Sequence, residues 1–127
     1  MSGAMSRQCV GVDIIEIERI RAAAERWGAS FLERVFTPSE LAAYADKMPS
    51  LAARFSGKEA VIKALDLPGI SLTDIEILSS SDGRPVVNLY GQAKARADEM
   101  HISHLDVSLS HSRDFAVACA VGLFSCA

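Results

Sequence analysis

The run Arg54-Phe55-Ser56-Gly57-Lys58-Glu59-Ala60-Val61-Ile62-Lys63-Ala64-Leu65 constrains the chain more than any other. It has the periodicity of a core helix and yet carries four charged residues. At about 100° per residue, Leu51, Phe55, Ile62 and Leu65 share one apolar stripe, with Arg54 at one edge and Glu59 at the other. Lys58 falls inside the stripe, where an ammonium needs a partner or a route to water. Glu59 and Lys63, four apart, lie side by side just off it. Two readings fit. The charges form a solvated ion-pair face, as i,i+4 pairs on stable helices do, or a carboxylate able to hold a divalent cation stands among cations able to hold phosphate.

At 127 residues the chain has the length of one domain, spanning 1–127, and enough residues to bury a core without staples. Half of them are hydrophobic, and a net charge of −3 argues against a general binder of nucleic acid or anionic membrane. Cys9, Cys119 and Cys126 show neither zinc-ligand nor disulfide-framework spacing, so reduced cytoplasmic thiols are expected. Residues 1–7 read as a loose terminus, with no signal peptide and no membrane span.

Along the chain, Gln8 to Asp13 predicts a short strand, apolar almost throughout and buried on both faces. A helix from Ile14 to Trp27 follows, with Ile17, Ile20, Ala24 and Trp27 on one face and Gly28 as its stop. Asp13 thus stands at a strand-to-helix junction. It is either an N-cap with Glu16 completing a capping-box variant, or a carboxylate that holds a metal with a second one, for which Glu59 is the candidate. Arg19 and Arg26, seven apart, share the opposite face as a basic ridge. That ridge is an ordinary solvent face offset by Glu18 and Glu25, or a docking surface for an acidic partner helix.

Ala29 to Phe36 predicts a short amphipathic piece. Thr37-Pro38-Ser39-Glu40 is a capping box opening a helix to about Met48, and Pro49-Ser50 starts the organising helix. Beyond the turn Asp66-Leu67-Pro68-Gly69, strands are expected at Ile75–Leu78 and Pro85–Tyr90, paired around Asp82-Gly83. A helix from Gly91 to Met100 and strands at Leu105–Ser110 and Phe115–Leu123 complete the chain. The connection His111-Ser112-Arg113-Asp114 sets polar groups at one end of a sheet, as a plain turn or as part of a site.

Taken in order, Gly11-Val12-Asp13-Ile14, Phe36-Thr37-Pro38-Ser39-Glu40 with Tyr44, Arg54-Phe55 with Lys58-Glu59-Ala60 and Lys63-Ala64, Asp82-Gly83-Arg84-Pro85, and Val107-Ser108-Leu109-Ser110-His111-Ser112 resemble the holo-acyl-carrier-protein synthases. These are the short bacterial 4′-phosphopantetheinyl transferases, and the resemblance runs from about Val10 to Val121. It implies an α+β fold with a small antiparallel sheet packed against a long helix, and a homotrimer with active sites at the subunit interfaces. It also implies transfer of the phosphopantetheine arm of coenzyme A to a serine of an acyl carrier protein from fatty-acid or polyketide synthesis, with Mg²⁺ as the ion and 3′,5′-ADP released.

By position, the resemblance makes Asp13 and Glu59 the metal carboxylates and Lys63 the lysine on the coenzyme A phosphates. Lys58, which precedes the metal glutamate, is placed with it among the residues that bind coenzyme A. Arg54 and His111 fall at the nucleotide end, Arg84 and Pro85 near the adenine, and Arg19, with Arg26 on the same ridge, toward the acidic carrier. Glu59 is the expected base. Two positions depart from the family pattern: Asp66-Leu67-Pro68-Gly69 replaces a glycine-rich turn, and Ser56-Gly57 replaces small alanines. A non-catalytic coenzyme A or carrier-binding module that keeps the trimer, and a metal-dependent phosphohydrolase, are the rival readings.

Overall fold

The computed structural model describes residues 7–125. All of the expected loose terminus except Arg7 therefore lies outside the described residues, as does Cys126. The order is β1 (Gln8–Glu16), α1 (Ile17–Trp27), α2 (Ala29–Val35), α3 (Pro38–Tyr44), α4 (Met48–Leu65), a 3₁₀ turn (Leu72–Asp74), β2 (Ile75–Ser79), β3 (Pro85–Leu89), α5 (Gly91–Glu99), β4 (Ile102–His111) and β5 (Phe115–Phe124). Two antiparallel sheets result, one in the order β1-β5-β4 and one of β2-β3. The α+β architecture and the long helix packed on a small sheet match the expectation.

The long helix α4 lies across β1 and β5 at very close range. The reason is Gly11: an ideal Cβ there would stand 2.0 Å from the Ala60 carbonyl oxygen and 2.8 Å from the Ala64 nitrogen. Ala60, Ala64, Ala116, Ala118 and Ala120 are the small buried side chains along this contact. Leu51, Val61 and Leu65 are fully buried, worth about 2 kcal/mol each against exposure. The single stripe expected for α4 is too narrow. Phe55 and Ile62 are only partly buried, while Ala52, Ala53 and Ala60 are covered as well, so the helix is enclosed on most sides.

Three local expectations are corrected. Strand β1 runs on to Glu16, and helix α1 starts at Ile17 with Glu16 as an N-cap that makes no side-chain cap bond. Asp13 is therefore not a cap but a mid-strand residue paired with Ala118. Nor is β1 buried on both faces, since Val10, Val12 and Ile14 are 65, 59 and 63 per cent exposed. With Val117 and Leu123 of β5 they leave one apolar face of the sheet uncovered. Trp27, expected on the inner face of α1, is also exposed.

The capping box is as expected: Glu40 N–H donates to Thr37 Oγ1 at 3.2 Å and Thr37 N–H to Glu40 Oε1 at 2.9 Å. Helix α3 ends at Tyr44, short of Met48, where α4 begins. The other end of α4 closes on Asp66 in the left-handed region at φ 50°. The Asp66 and Leu67 N–H groups donate back to the Lys63 and Ile62 carbonyls. Asp66 thus adopts the conformation in which glycine usually ends a helix.

Candidate active site

Helix α4 divides the candidate residues into two groups. Arg54 and Glu59 are about 140° apart around its axis, and Arg54 and Lys63 about 180°, because the helix turns once every 3.6 residues. One group faces β1 and the other faces β2.

On the β1 side, pleating turns Val12 and Ile14 outward and Asp13 inward toward α4. Lys63 Nζ donates to Asp13 Oδ1 at 3.1 Å and to the Val12 carbonyl at 2.9 Å. Ser56 Oγ stands 2.9 Å from the Asp13 carbonyl oxygen and 3.2 Å from Oδ2. One carboxylate is thereby held in a fixed direction by two residues of α4. The Glu59 carboxyl is pushed above its usual range, first by burial and then by the Asp13 charge, with Lys63 pulling the other way. The Glu59 carboxyl thus feels the charge of Asp13 across the α4–β1 contact, a repulsion that a bound cation would relieve.

Their chemistry suits Mg²⁺, a hard ion typically held by one or two carboxylates with water and phosphate oxygens completing its shell. Among the described residues no group of three or more His, Cys, Asp and Glu gathers that could hold a metal. An ion between Asp13 and Glu59 would therefore draw its remaining oxygens from solvent and substrate.

On the β2 side is a cleft of about 310 Å³ whose lining includes Arg54, Pro85 and His111, brought together from α4, β3 and β4. The Arg54 guanidinium lies 3.8 Å from the centre of the Tyr44 ring and donates to Ser79 Oγ at 2.9 Å. Tyr44 Oη and Ser79 Oγ are 2.9 Å apart. A planar cation stacked on a ring and tied at one end is pre-organised to meet phosphate or a base. Arg84 is not part of the lining: it is exposed on the β2–β3 turn and paired with Asp82 at 3.7 Å.

Lys58 belongs to neither group. Its ammonium is fully buried, donating to Glu40 Oε1 at 2.7 Å and to the Leu72 and Ile75 carbonyls at 3.0 and 2.6 Å. Burial pulls its pKa below the usual value against the opposing charges of Glu40 and Glu76. All three of its donor directions are used inside the protein, whereas the resemblance sets it among the coenzyme A residues. Arg19 and Arg26 stand exposed on α1 as a ridge, with Arg26 4.9 Å over the Trp27 ring. A groove between Trp27, Phe31 and Arg34 lies beside them.

Sequence reasoning missed Ser56, Ser79 and Tyr44 as site residues. Ser56 reads only as a departure from the family pattern and Ser79 only follows the strand expected at Ile75–Leu78, and nothing local in either points to Asp13 or Arg54.

The model of the 4′-phosphopantetheinyl transferase superfamily matches residues 9–120. A holo-[acyl-carrier-protein] synthase of Dehalococcoides mccartyi is 57% identical over 112 residues, 87% of this chain and 94% of that protein. One from Herpetosiphon aurantiacus is 45% identical over 122 residues, 89% of this chain and 96% of that one. Among solved structures, the Helicobacter pylori holo-[acyl-carrier-protein] synthase in complex with coenzyme A matches with a TM-score of 0.79 and 38% identity, covering 89% of this chain and 98% of that one. A Plasmodium yoelii acyl carrier protein synthase with ADP bound matches at a TM-score of 0.85 and 30% identity, covering 98% and 100%.

Proposed function

Because this chain belongs to the 4′-phosphopantetheinyl transferase superfamily, as a transferase of the holo-[acyl-carrier-protein] synthase family that uses coenzyme A, we propose that it carries out Mg²⁺-dependent transfer to a carrier-protein serine. The observation that carries the reading is the Asp13 carboxylate, held toward α4 by Lys63 at 3.1 Å and by Ser56, with its charge felt by Glu59 of the same helix.

In the reaction the serine oxygen bonds to the β-phosphorus of coenzyme A. The bond from that phosphorus to the bridging oxygen breaks, 3′,5′-ADP leaves, and the serine proton passes to a base. Asp13 and Glu59 would hold the ion, which when bound supplies positive charge beside the phosphoryl oxygens. Lys63 meets the charge that develops on those oxygens, held ready by Val12 and Asp13. Glu59 takes the serine proton. Arg54 and His111 hold the nucleotide end, with Pro85 against the adenine and Arg84 reaching it from outside the cleft lining, on the β2–β3 turn. Arg19 and Arg26 receive the acidic carrier protein.

We place these sites between subunits of a homotrimer. Two features support it: the two groups lie on opposite sides of α4, and the sheet leaves Val10, Val12, Ile14, Val117 and Leu123 uncovered. A cytoplasmic location fits the free thiols of Cys9 and Cys119. The test is intact-mass spectrometry of an apo acyl carrier protein incubated with this protein, coenzyme A and Mg²⁺. A gain of one phosphopantetheine, lost with EDTA, is expected. No gain with any carrier, while coenzyme A still binds, would leave a non-catalytic binding module.

A further inference from the structure

The sheet of β2 and β3 shares no backbone ladder with the sheet of β1, β5 and β4. One edge of β2 is instead closed by side chains. The Ile75 carbonyl accepts from Lys58 at 2.6 Å, the Ile77 N–H donates to Glu40 Oε2 at 2.7 Å, and the Ile77 carbonyl accepts from Arg54 Nε at 3.4 Å. The spacing explains how this is possible. Residues 54 and 58 are one helical turn apart, about 6 Å along α4, which matches the rise of about 6.6 Å between Ile75 and Ile77 on a strand.

Glu40 is the hub of the arrangement. It is fully buried and takes Lys58 and the Thr37 N–H on one oxygen and the Ile77 N–H on the other. Thr37 in turn donates to Glu76 on β2 at 2.6 Å, and Glu76 accepts from Asn88 and Tyr90. Two residues beyond Ile77 on the same strand is Ser79, the partner of Arg54 and Tyr44 in the cleft. The height of β2 against α4 therefore decides where the Arg54 guanidinium and Ser79 stand.

We propose that the Glu40–Lys58 pair is a positioning device for the nucleotide side of the site, setting β2 against α4 so that the Arg54 cleft is formed before substrate arrives. The inference rests on reading that cleft as the nucleotide site. A buried ion pair is a weak source of net stability, whereas its directed bonds to Ile75 and Ile77 specify one register and no other. Lys58 and Glu40 act through the strand and touch no substrate.

The test compares Glu40→Gln, which keeps the shape but sets a donor against Lys58 or the Ile77 N–H, with Ile102→Ala, a core change on β4 that lowers stability away from the cleft. For Glu40→Gln, KM for coenzyme A and Kd for 3′,5′-ADP should rise at least about tenfold with the carrier KM unchanged, as expected when positioning on one substrate side is lost. Ile102→Ala should lower Tm without moving either constant. Equal effects of the two variants would overturn the proposal. Hydrogen exchange on the unmutated protein gives a second test that needs no variant. The Ile77 amide should already be protected without nucleotide, and protection that appears only on binding 3′,5′-ADP would also overturn it. An unmutated protein that binds no 3′,5′-ADP at all would remove the nucleotide reading and this inference together.

Discussion

Lys63 of α4 and Asp13 of β1, fifty residues apart in the chain, are joined by a 3.1 Å ion pair whose lysine also holds the Val12 carbonyl. The lysine side chain is half exposed and the aspartate largely covered, so the pair contributes at most about 1 kcal/mol to stability. Its main effect is to aim both groups at one place. Lys63→Gln should lower the transfer rate by at least about a hundredfold, since its charge is used where the transition state develops its own. Tm should move little, and steady-state kinetics with thermal melts would check both.

Glu59→Gln should abolish metal-dependent transfer and leave the fold intact. The sign of its stability effect follows from the raised carboxyl pKa. As pH climbs through 4.5, the unfolded chain ionises first, and the folded state loses stability until its own carboxyl has ionised. At pH 7 without metal the variant should be at least as stable as the parent, and the difference should vanish below the ordinary glutamate pKa. Denaturant titrations across that range would show it, and a variant less stable at neutral pH would contradict it.

Gly11→Ala should be far more damaging than Gly57→Ala. The first sets a methyl against the α4 backbone, 2.0 Å from the Ala60 oxygen, and should cost about 3 kcal/mol or more because backbone cannot step aside. The second meets the side-chain tips of Ile77 and Leu109 at 2.6 and 3.0 Å, and its helix-propensity gain of about 1 kcal/mol offsets much of that crowding. Urea unfolding of the two variants would measure the difference.

Arg19→Glu should raise the carrier-protein KM by about tenfold while leaving coenzyme A binding alone, because a like charge then faces an acidic partner. An unchanged dependence on carrier concentration would take Arg19 out of the docking surface.

Val12→Lys should leave the monomer folded, because the side chain is 59 per cent exposed, and should break the assembly by setting a charge in the apolar face. Light scattering would show a fall from trimer to monomer; a parent protein that is already monomeric would remove the interfacial-site proposal.

Several parts of this fold are legible in the residues because their causes are local. Thr37 and Glu40 are three apart in the chain, so the residue types alone announce their capping box. The alternation Leu105-Asp106-Val107-Ser108-Leu109-Ser110 likewise identifies most of β4 by its period of two. Where β1 ends is not legible, since Ile14, Ile15 and Ile17 suit a strand as well as a helix. Pairing with β5 makes the choice and carries the strand to Glu16 opposite Phe115. The role of Lys58 is hidden for a similar reason: its place inside an apolar stripe is plain, but the partners that take up its charge are Glu40, Leu72 and Ile75, from elements distant in the chain.

The kinds of group available to the site are written in the residues themselves: two carboxylates, a lysine four residues from one of them, and an arginine on the other side of the same helix. Helical and strand periodicities are properties of the local backbone and need nothing further. Which charges turn to the surface and which to the interior is settled by packing alone. A lysine's direction depends on acceptors that arrive from distant strands, and α4 can lie close enough to β1 to join Lys63 to Asp13 only because Gly11 presents no side chain to it.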